Sequence, residues 1–175
     1  MFTVTSTGPT SGTRRLRTIL VSAAAGIALA ASIAFAAGAF DGPDRQQLVA
    51  ERGAEVLPFD LEATTHHFKP SEDGGLETVL ADDPSDSEQI ELIQQHLREE
   101  AAAFARGEFD DPAQIHGEDM PGLATLEADA DQIGIVYPSR DDGAEIRFTT
   151  DDPILVTALH DWFAAQTSDH GGHAD

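Results

Sequence analysis

The 175-residue chain contains no cysteine and few basic residues. The absence of cysteine excludes disulfide bonds, thiolate catalysis, Cys-ligated zinc and iron–sulfur clusters. The chain has 10 lysines and arginines against 32 aspartates and glutamates, which gives a formal net charge of −22. Because this charge repels the phosphates of nucleic acids and anionic lipids, we expect no nucleic-acid binding and no attachment to membranes through a basic patch. A metal ion or a basic protein partner fits the charge better.

The first 40 residues differ from the rest because they contain no acidic residue. Arg14, Arg15 and Arg17 precede an uncharged, alanine-rich run over 19–40. A basic segment, an apolar stretch and small residues near 34–39 are typical of a cleaved secretory signal peptide. The run is also long enough to span a bilayer as a retained N-terminal membrane anchor. Both interpretations place the rest of the chain outside the cytoplasm, secreted or anchored, with membrane contact only through this segment.

The chain after residue 40 divides into three segments by composition. Residues 41–62 are expected to form a loosely packed linker, with a short helix that begins at Pro43 and ends before Gly53. Residues 63–167 have the hydrophobic periodicity of a folded domain. Residues 168–175 are polar, and we expect them to form a flexible tail that contains His170 and His173.

The domain contains two similar patterns of two strands followed by a helix. Alternating residues predict hairpins within 64–81 and 132–150, and apolar residues at helical spacing predict a helix after each hairpin. The same turn and capping residues recur in both units, through internal duplication or through convergent turn chemistry: Asp73-Gly74 with Asp82-Asp83-Pro84, and Asp142-Gly143 with Asp151-Asp152-Pro153. We predict an α+β fold in which the two units form a four-stranded antiparallel sheet with both helices on one face, preceded by the signal or anchor helix.

Histidine is the residue type that most strongly suggests chemistry, because imidazole is the commonest protein ligand of late transition metals. His66 and His67 are neighbours on a predicted strand, so their side chains point to opposite faces of the sheet. His96 lies beside the apolar stripe of the first predicted helix, with Glu99 and Glu100 on the same side. His96 is therefore either a metal ligand or an ordinary solvated residue at the edge of the helix, and the sequence leaves both interpretations open.

A loop that is rich in glycine and proline contains His116 and Met120. An imidazole and a thioether together suit copper, whereas the neighbouring Glu118 and Asp119 favour harder ions. The alternative is that Met120 fills the core beneath the loop and that His116 caps a turn. His160 lies off the inward stripe of the last predicted helix, where it can either hydrogen-bond to the loop or face water.

Three segments within 63–170 carry a resemblance to a known family: Thr65-His66-His67-Phe68, residues 115–123 and residues 152–166. They resemble a family of small exported bacterial proteins whose members often carry the label aspartate carbamoyltransferase. The resemblance implies one exported domain and draws attention to His116, Met120 and His160. The label does not suit this chain. Transcarbamoylases resemble two α/β domains of much greater length with a Ser-Thr-Arg-Thr-Arg loop for carbamoyl phosphate, whereas only seven basic residues follow residue 40 and no such loop occurs.

We therefore predict a small exported or membrane-tethered domain that binds a transition metal ion or a metal cofactor. Copper is favoured, other transition metals and haem stay open, and the candidate ligands are His66, His67, His96, His116, Met120 and His160. The alternative is a metal-free, acidic cell-envelope module that binds a basic protein or a cationic ligand. The sequence shows no nucleophile elbow, zincin motif, phosphate-binding loop or dinucleotide fingerprint, and hence it predicts no catalytic constellation.

Overall fold

A computed structural model describes residues 43–171 and Ala174. The predicted signal or anchor lies outside the described residues. Within them, every helix is too short or too polar to cross a bilayer. The helices are α1 (Pro43–Val56), α2 (Ser87–Phe104), α3 (Asp110–His116), α4 (Leu123–Ala128) and α5 (Pro153–His170). The strands are β1 (Thr64–Ser71), β2 (Gly74–Ala81), β3 (Gly134–Val136), β4 (Ser139–Arg140) and β5 (Gly143–Thr149).

The strands form one antiparallel sheet, so the predicted α+β class is confirmed. The strand order is β1-β2-β5-β3, and the two-residue strand β4 also pairs with β5. The first hairpin has the predicted position, with Thr64 opposite Ala81 and Ser71 opposite Gly74. The second hairpin is interrupted between β3 and β4, because Pro138 has no N–H to donate to a strand partner. Its carbonyl oxygen accepts a hydrogen bond from the backbone N–H of Glu145 at 3.0 Å.

Helices α2 and α5 pack against one face of the sheet. Residues that lie directly opposite each other in an antiparallel pair point to the same face. The pairs His66 with Val79 and Glu77 with Ile146 therefore place histidine and glutamate side chains on the face that also holds the core. Trp162 of α5 lies at the centre of this core and is completely buried. Burial of a large apolar side chain contributes about 1.5–3 kcal/mol, which makes this face the main source of stability.

Helix α1 packs more closely and extends further than the sequence predicts. It continues past Gly53 to Val56, and Val49 on its inner side is 1% exposed. The side chains of Arg45 and Arg52 donate hydrogen bonds to the carbonyl oxygens of His116 and Ile115 at 2.7 and 3.3 Å, respectively. The last carbonyls of a helix have no partner within it, so α1 supplies donors to the end of α3.

Helix α5 continues into the segment that the sequence assigns to the flexible tail. It ends at His170, and both Asp169 and His170 are buried. Polar composition predicts exposure for these residues. The structure instead buries them because Asp169 pairs with a basic side chain of α1 and His170 packs against other histidine rings.

The turn at Gly122 provides a first test of the fold. Gly122 has φ +81°, and a Cβ atom added there would lie 2.1 Å from the backbone oxygen of Ala158 on α5. We expect Gly122→Ala to lower the free energy of unfolding by about 3 kcal/mol, from backbone strain and from displacement of α5. Gly117→Ala is the matched control, because Gly117 has φ +101° with no atom within 4 Å of the added Cβ. Denaturant titration of both variants measures the two costs, and equal losses would contradict the close contact with α5.

Candidate metal centre

A cavity of about 40 Å³ lies between the inner face of the sheet and the helices α2, α3 and α5. A buried water requires at least about 10–15 Å³ measured in this way, so the cavity has room for a metal ion and one or two waters. Polar groups line it in unusual density for a protein core. The titratable residues that line it are His66, His96, His116, His170, Glu77, Glu100 and Asp111.

Three of these residues bring potential ligand atoms together at one end of the cavity. One ligand atom each of His96, Glu100 and Asp111 lies within 4.8 Å of the other two. Glu100 follows His96 by four residues on α2, so one helical face presents both side chains. Asp111 enters from the first turn of α3. Imidazole and carboxylate groups at this spacing are a donor set for a divalent cation.

Glu77 adds a buried carboxyl group to the same cavity. It lies on β2 opposite Phe68 and Ile146, among the apolar side chains of the inner face. Its Oε2 atom is buried and has no hydrogen-bond partner among the described residues. Burial raises the pKa of Glu77 to about 7. An ionised carboxylate in this position needs a cation, since burying an uncompensated charge is costly.

The electrostatic environment of His96, Glu100 and Asp111 also favours a bound cation, as that of Glu77 does. Burial raises the pKa of Glu100 to about 8, and the negative charge of Asp111 contributes in the same direction. Burial also lowers the pKa of His96, although the charges of Asp111 and Glu99 oppose this effect. His96 is therefore a neutral imidazole at pH 7, with a lone pair available for a metal ion.

His116 is held by a buried ion-pair network at the other end of the cavity. Its Nδ1 atom lies 2.8 Å from Oδ2 of Asp169, and Arg45 donates from Nε to Oδ1 and from Nη2 to Oδ2 at 2.8 and 2.6 Å. Burial would raise the pKa of Asp169, but the hydrogen bonds from His116 and Arg45 outweigh it and lower the pKa to about 2. An ionised carboxylate only accepts hydrogen bonds, so Nδ1 of His116 carries the proton of this contact, and Nε2 is the ring nitrogen that does not contact Asp169.

Two further histidine rings complete this end of the cavity. The ring centroid of His170 lies 4.8 Å from that of His66 and 5.0 Å from that of His116. Phe59 lines the cavity near both ends, with its ring centroid 6.1 Å from that of His66 and 5.6 Å from that of His96. We call His66, His116 and His170 the histidine end, and His96, Glu100, Asp111 and Glu77 the acidic end.

The structure brings together three of the six ligands predicted from the sequence, namely His66, His96 and His116. Of the other three, His67 is partly buried and, as the neighbour of His66 on β1, lies on the opposite face of the sheet. Met120 is 7% exposed and belongs to the hydrophobic core.

His160 has a separate position near the first hairpin turn. Its Nε2 atom lies 3.0 Å from the carbonyl oxygens of both Ser71 and Gly74. Carbonyl oxygens only accept hydrogen bonds, so Nε2 carries a proton and joins α5 to the turn. This contact gives His160 a structural role in the described part of the chain.

Four residues of the cavity were not among the ligands predicted from the sequence: Glu77, Glu100, Asp111 and His170. The sequence does contain a signal for Glu77. It is a charged residue at a strand position that, by alternation with Val79, is predicted to point into the core. Glu100 shares a helix side with His96, which the sequence shows. An acidic residue in the first turn of a helix is also favoured by the helix dipole, which accounts for Asp111 without a metal, and the composition around His170 predicts a tail.

Comparison with protein-family models, with curated proteins and with solved structures gives no match. The resemblance to a family of small exported proteins therefore stays a prediction.

Proposed function

We propose that this domain binds a divalent transition metal ion at the acidic end of the cavity. The ligands are the imidazole of His96 and the carboxylates of Glu100 and Asp111, with Glu77 as a fourth donor. The observation that carries the proposal is the 4.8 Å grouping of the three ligand atoms in a cavity that also holds a buried carboxyl oxygen of Glu77, which has no hydrogen-bond partner among the described residues. As the sequence predicts, the proposed domain is exported, and either secreted or tethered by its N-terminal segment.

The donor set favours particular metals. One imidazole and two or three carboxylates suit manganese(II), iron(II) or zinc(II), because hard oxygen donors predominate. The expectation of copper depends on the thioether of Met120, which packs in the hydrophobic core. The cavity volume of about 40 Å³ matches an ion with its waters and is far smaller than a porphyrin. We therefore propose a mononuclear ion at this end, with manganese, iron or zinc favoured over copper and haem.

Metal retention by matched variants tests this proposal. The full chain without a histidine tag is stripped with a chelator, incubated separately with manganese, iron(II), zinc and copper, freed of excess metal and examined by elemental analysis. We expect Glu100→Gln and Asp111→Asn each to weaken binding of the retained metal about 100-fold, since changes that only support a ligand already cost 10–100-fold. Isothermal titration of each variant measures this loss.

The neighbouring acids supply the controls. Glu99→Gln and Asp110→Asn remove the same charge from the same helices, at exposed positions. We expect both to bind like the parent chain, and an equal loss in the control pair would show only the effect of net charge. If no metal is retained, and if the chain instead forms salt-sensitive complexes with a basic protein that chelation leaves intact, the metal-free binding module is the better account.

A further inference from the structure

The cavity contains more ligands than one metal ion can use. The three grouped donors at the acidic end, with Glu77 as the proposed fourth, already satisfy the four-coordinate geometry that is usual for zinc. His66, His116 and His170 lie against the same cavity at its histidine end, and they are 5%, 3% and 7% exposed. The cavity wall thus carries three buried imidazoles at this end, and imidazole is a common ligand of transition metal ions.

The separations of His170 from His66 and from His116 match those of imidazoles that share an ion. Two imidazoles bound to one tetrahedral ion through metal–nitrogen bonds of about 2.0–2.1 Å place their ring centroids about 5 Å apart. The observed separations are 4.8 Å between His66 and His170 and 5.0 Å between His116 and His170. Coordination requires each ring to turn one nitrogen toward a common point.

The network behind His116 is the support that a metal-bound histidine commonly has. Metal-ligating histidines usually donate the other ring N–H to a carboxylate, which fixes the tautomer and the orientation of the ring. Asp169 has this role for Nδ1 of His116, and Arg45 holds Asp169 with two hydrogen bonds. Nε2 of His116 is thereby left as the atom that can bind a cation.

The charge balance of the cavity also favours two ions. The carboxylates of Glu77, Glu100 and Asp111 together carry three negative charges when ionised, and one divalent ion leaves a net charge of −1 in a buried space. A second divalent ion changes this to +1, which one hydroxide neutralises. Nε1 of Trp162, a buried donor on the cavity wall with no acceptor among the described residues, could donate a hydrogen bond to that oxygen.

We propose that the histidine end binds a second divalent ion through His66, His116 and His170, so that the cavity holds a two-metal centre. This inference rests on the proposed function because it adds a site to the same cavity. Zinc or cobalt(II) suits the second site better than manganese, since its protein ligands are imidazoles. Two-metal sites typically hold their ions about 3.5–4 Å apart and share an oxygen ligand, which a cavity of this size permits.

Cobalt(II) titration of the full chain counts the sites. We expect the parent chain to bind two ions, and both His170→Gln and His116→Gln to bind one. His67→Gln is the matched control, because it removes an imidazole from the opposite face of β1 and should leave two ions bound. Glu100→Gln should lose the other ion and keep the one at the histidine end. Absorption in the visible d–d region follows each equivalent as it binds.

Histidine ring nitrogens of the unaltered chain provide a measurement that does not depend on how a variant folds. In ¹⁵N spectra, the second equivalent of zinc should shift the ring resonances of His66, His116 and His170 and leave those of His67 and His160 in place. If the parent chain binds only one ion, and if Glu100→Gln loses that ion, the second site is overturned and the proposed function stands. Failure to bind any ion would overturn both, and two ions retained in both His116→Gln and His170→Gln would overturn the assignment to these histidines.

Discussion

Replacement of Glu77 by glutamine is expected to stabilise the metal-free protein at pH 8 relative to the parent chain. The folded-state pKa of Glu77 is about 7 because of burial, compared with an ordinary value of 4.5. Between these two values the folded chain holds a proton that the unfolded chain has released. The stability that this proton contributes is complete below pH 4.5 and is lost as the pH rises through 7, at about 1.4 kcal/mol per pKa unit.

The expected size of this effect is about 3 kcal/mol, and glutamine removes it because an amide does not titrate. The measurement is the free energy of unfolding of both chains, treated with chelator, at pH 4.5 and at pH 8. Relative to the parent chain, the free energy of unfolding of the variant should be higher at pH 8 than at pH 4.5 by this amount. Glu72→Gln, an exposed acid of the same hairpin, should show no such growth. A constant difference for Glu77→Gln would mean that Glu77 does not titrate as a buried group.

Metal should reduce the difference in stability between the two chains at pH 8. An ion that binds only the folded state at about 100 times its dissociation constant adds about 2.7 kcal/mol to the free energy of unfolding. The parent chain at pH 8 should gain this amount, because Glu77 is mostly ionised at that pH and its carboxylate can bind the ion. The glutamine variant, which lacks one proposed donor, should gain less. Stability of the metal-free fold and affinity for the ion thus make opposite demands on the residue at this position.

Much of the fold could be predicted from the sequence because its signals are local. Alternation along 64–81 predicts the first hairpin, and Asp152 with Pro153 predicts the start of α5. The same alternation correctly separates His66 from its neighbour His67. Weak elements such as the two-residue strand β4 carry no periodicity, and they form only because β5 offers an edge.

The cavity could not be predicted in the same way because it depends on which faces meet. His116 and Asp169 are 53 residues apart, and Arg45 reaches Asp169 across 124 residues. The sequence places each of these residues on a strand, helix or loop. It does not show that α1 packs on α3 and on the end of α5, which is the arrangement that buries Asp169 and His170. Their polar neighbours predict a mobile tail until these long-range partners are known.

Replacement of Asp169 by alanine is expected to lower the free energy of unfolding at pH 7 by about 3 kcal/mol. Asp169 accepts hydrogen bonds from Arg45 and His116, and its removal leaves the guanidinium and the imidazole N–H without their acceptor. Loss of one partner from a buried ion pair typically costs about 3–5 kcal/mol, and partial exposure of Arg45 places this case at the lower end. Asp161→Ala, an exposed acid on the same helix, should change stability by no more than about 0.5 kcal/mol.

The dependence of stability on pH in the acidic range provides a second test of Asp169. The folded-state pKa of Asp169 is about 2, compared with an ordinary value of 3.8, so its stabilising contribution is complete above pH 3.8 and is lost as the pH falls through 2. The parent chain should lose about 2 kcal/mol over this interval from Asp169. Asp169→Ala should lack that component, and an unchanged acid profile would contradict the ionised network.

The variant Asp169→Asn distinguishes two roles of Asp169, namely packing in the fold and orientation of the His116 ring. The amide keeps the volume of the side chain, but it can present its NH2 group instead of an acceptor to Nδ1. We expect affinity for the second ion to fall about 10–100-fold in this variant, as is usual when the carboxylate behind a metal-bound histidine is lost. Affinity at the acidic end should stay unchanged, because His96 and Glu100 have no contact with Asp169 among the described hydrogen bonds. An equal loss at both ends would instead indicate that Asp169 acts only through the stability of the fold.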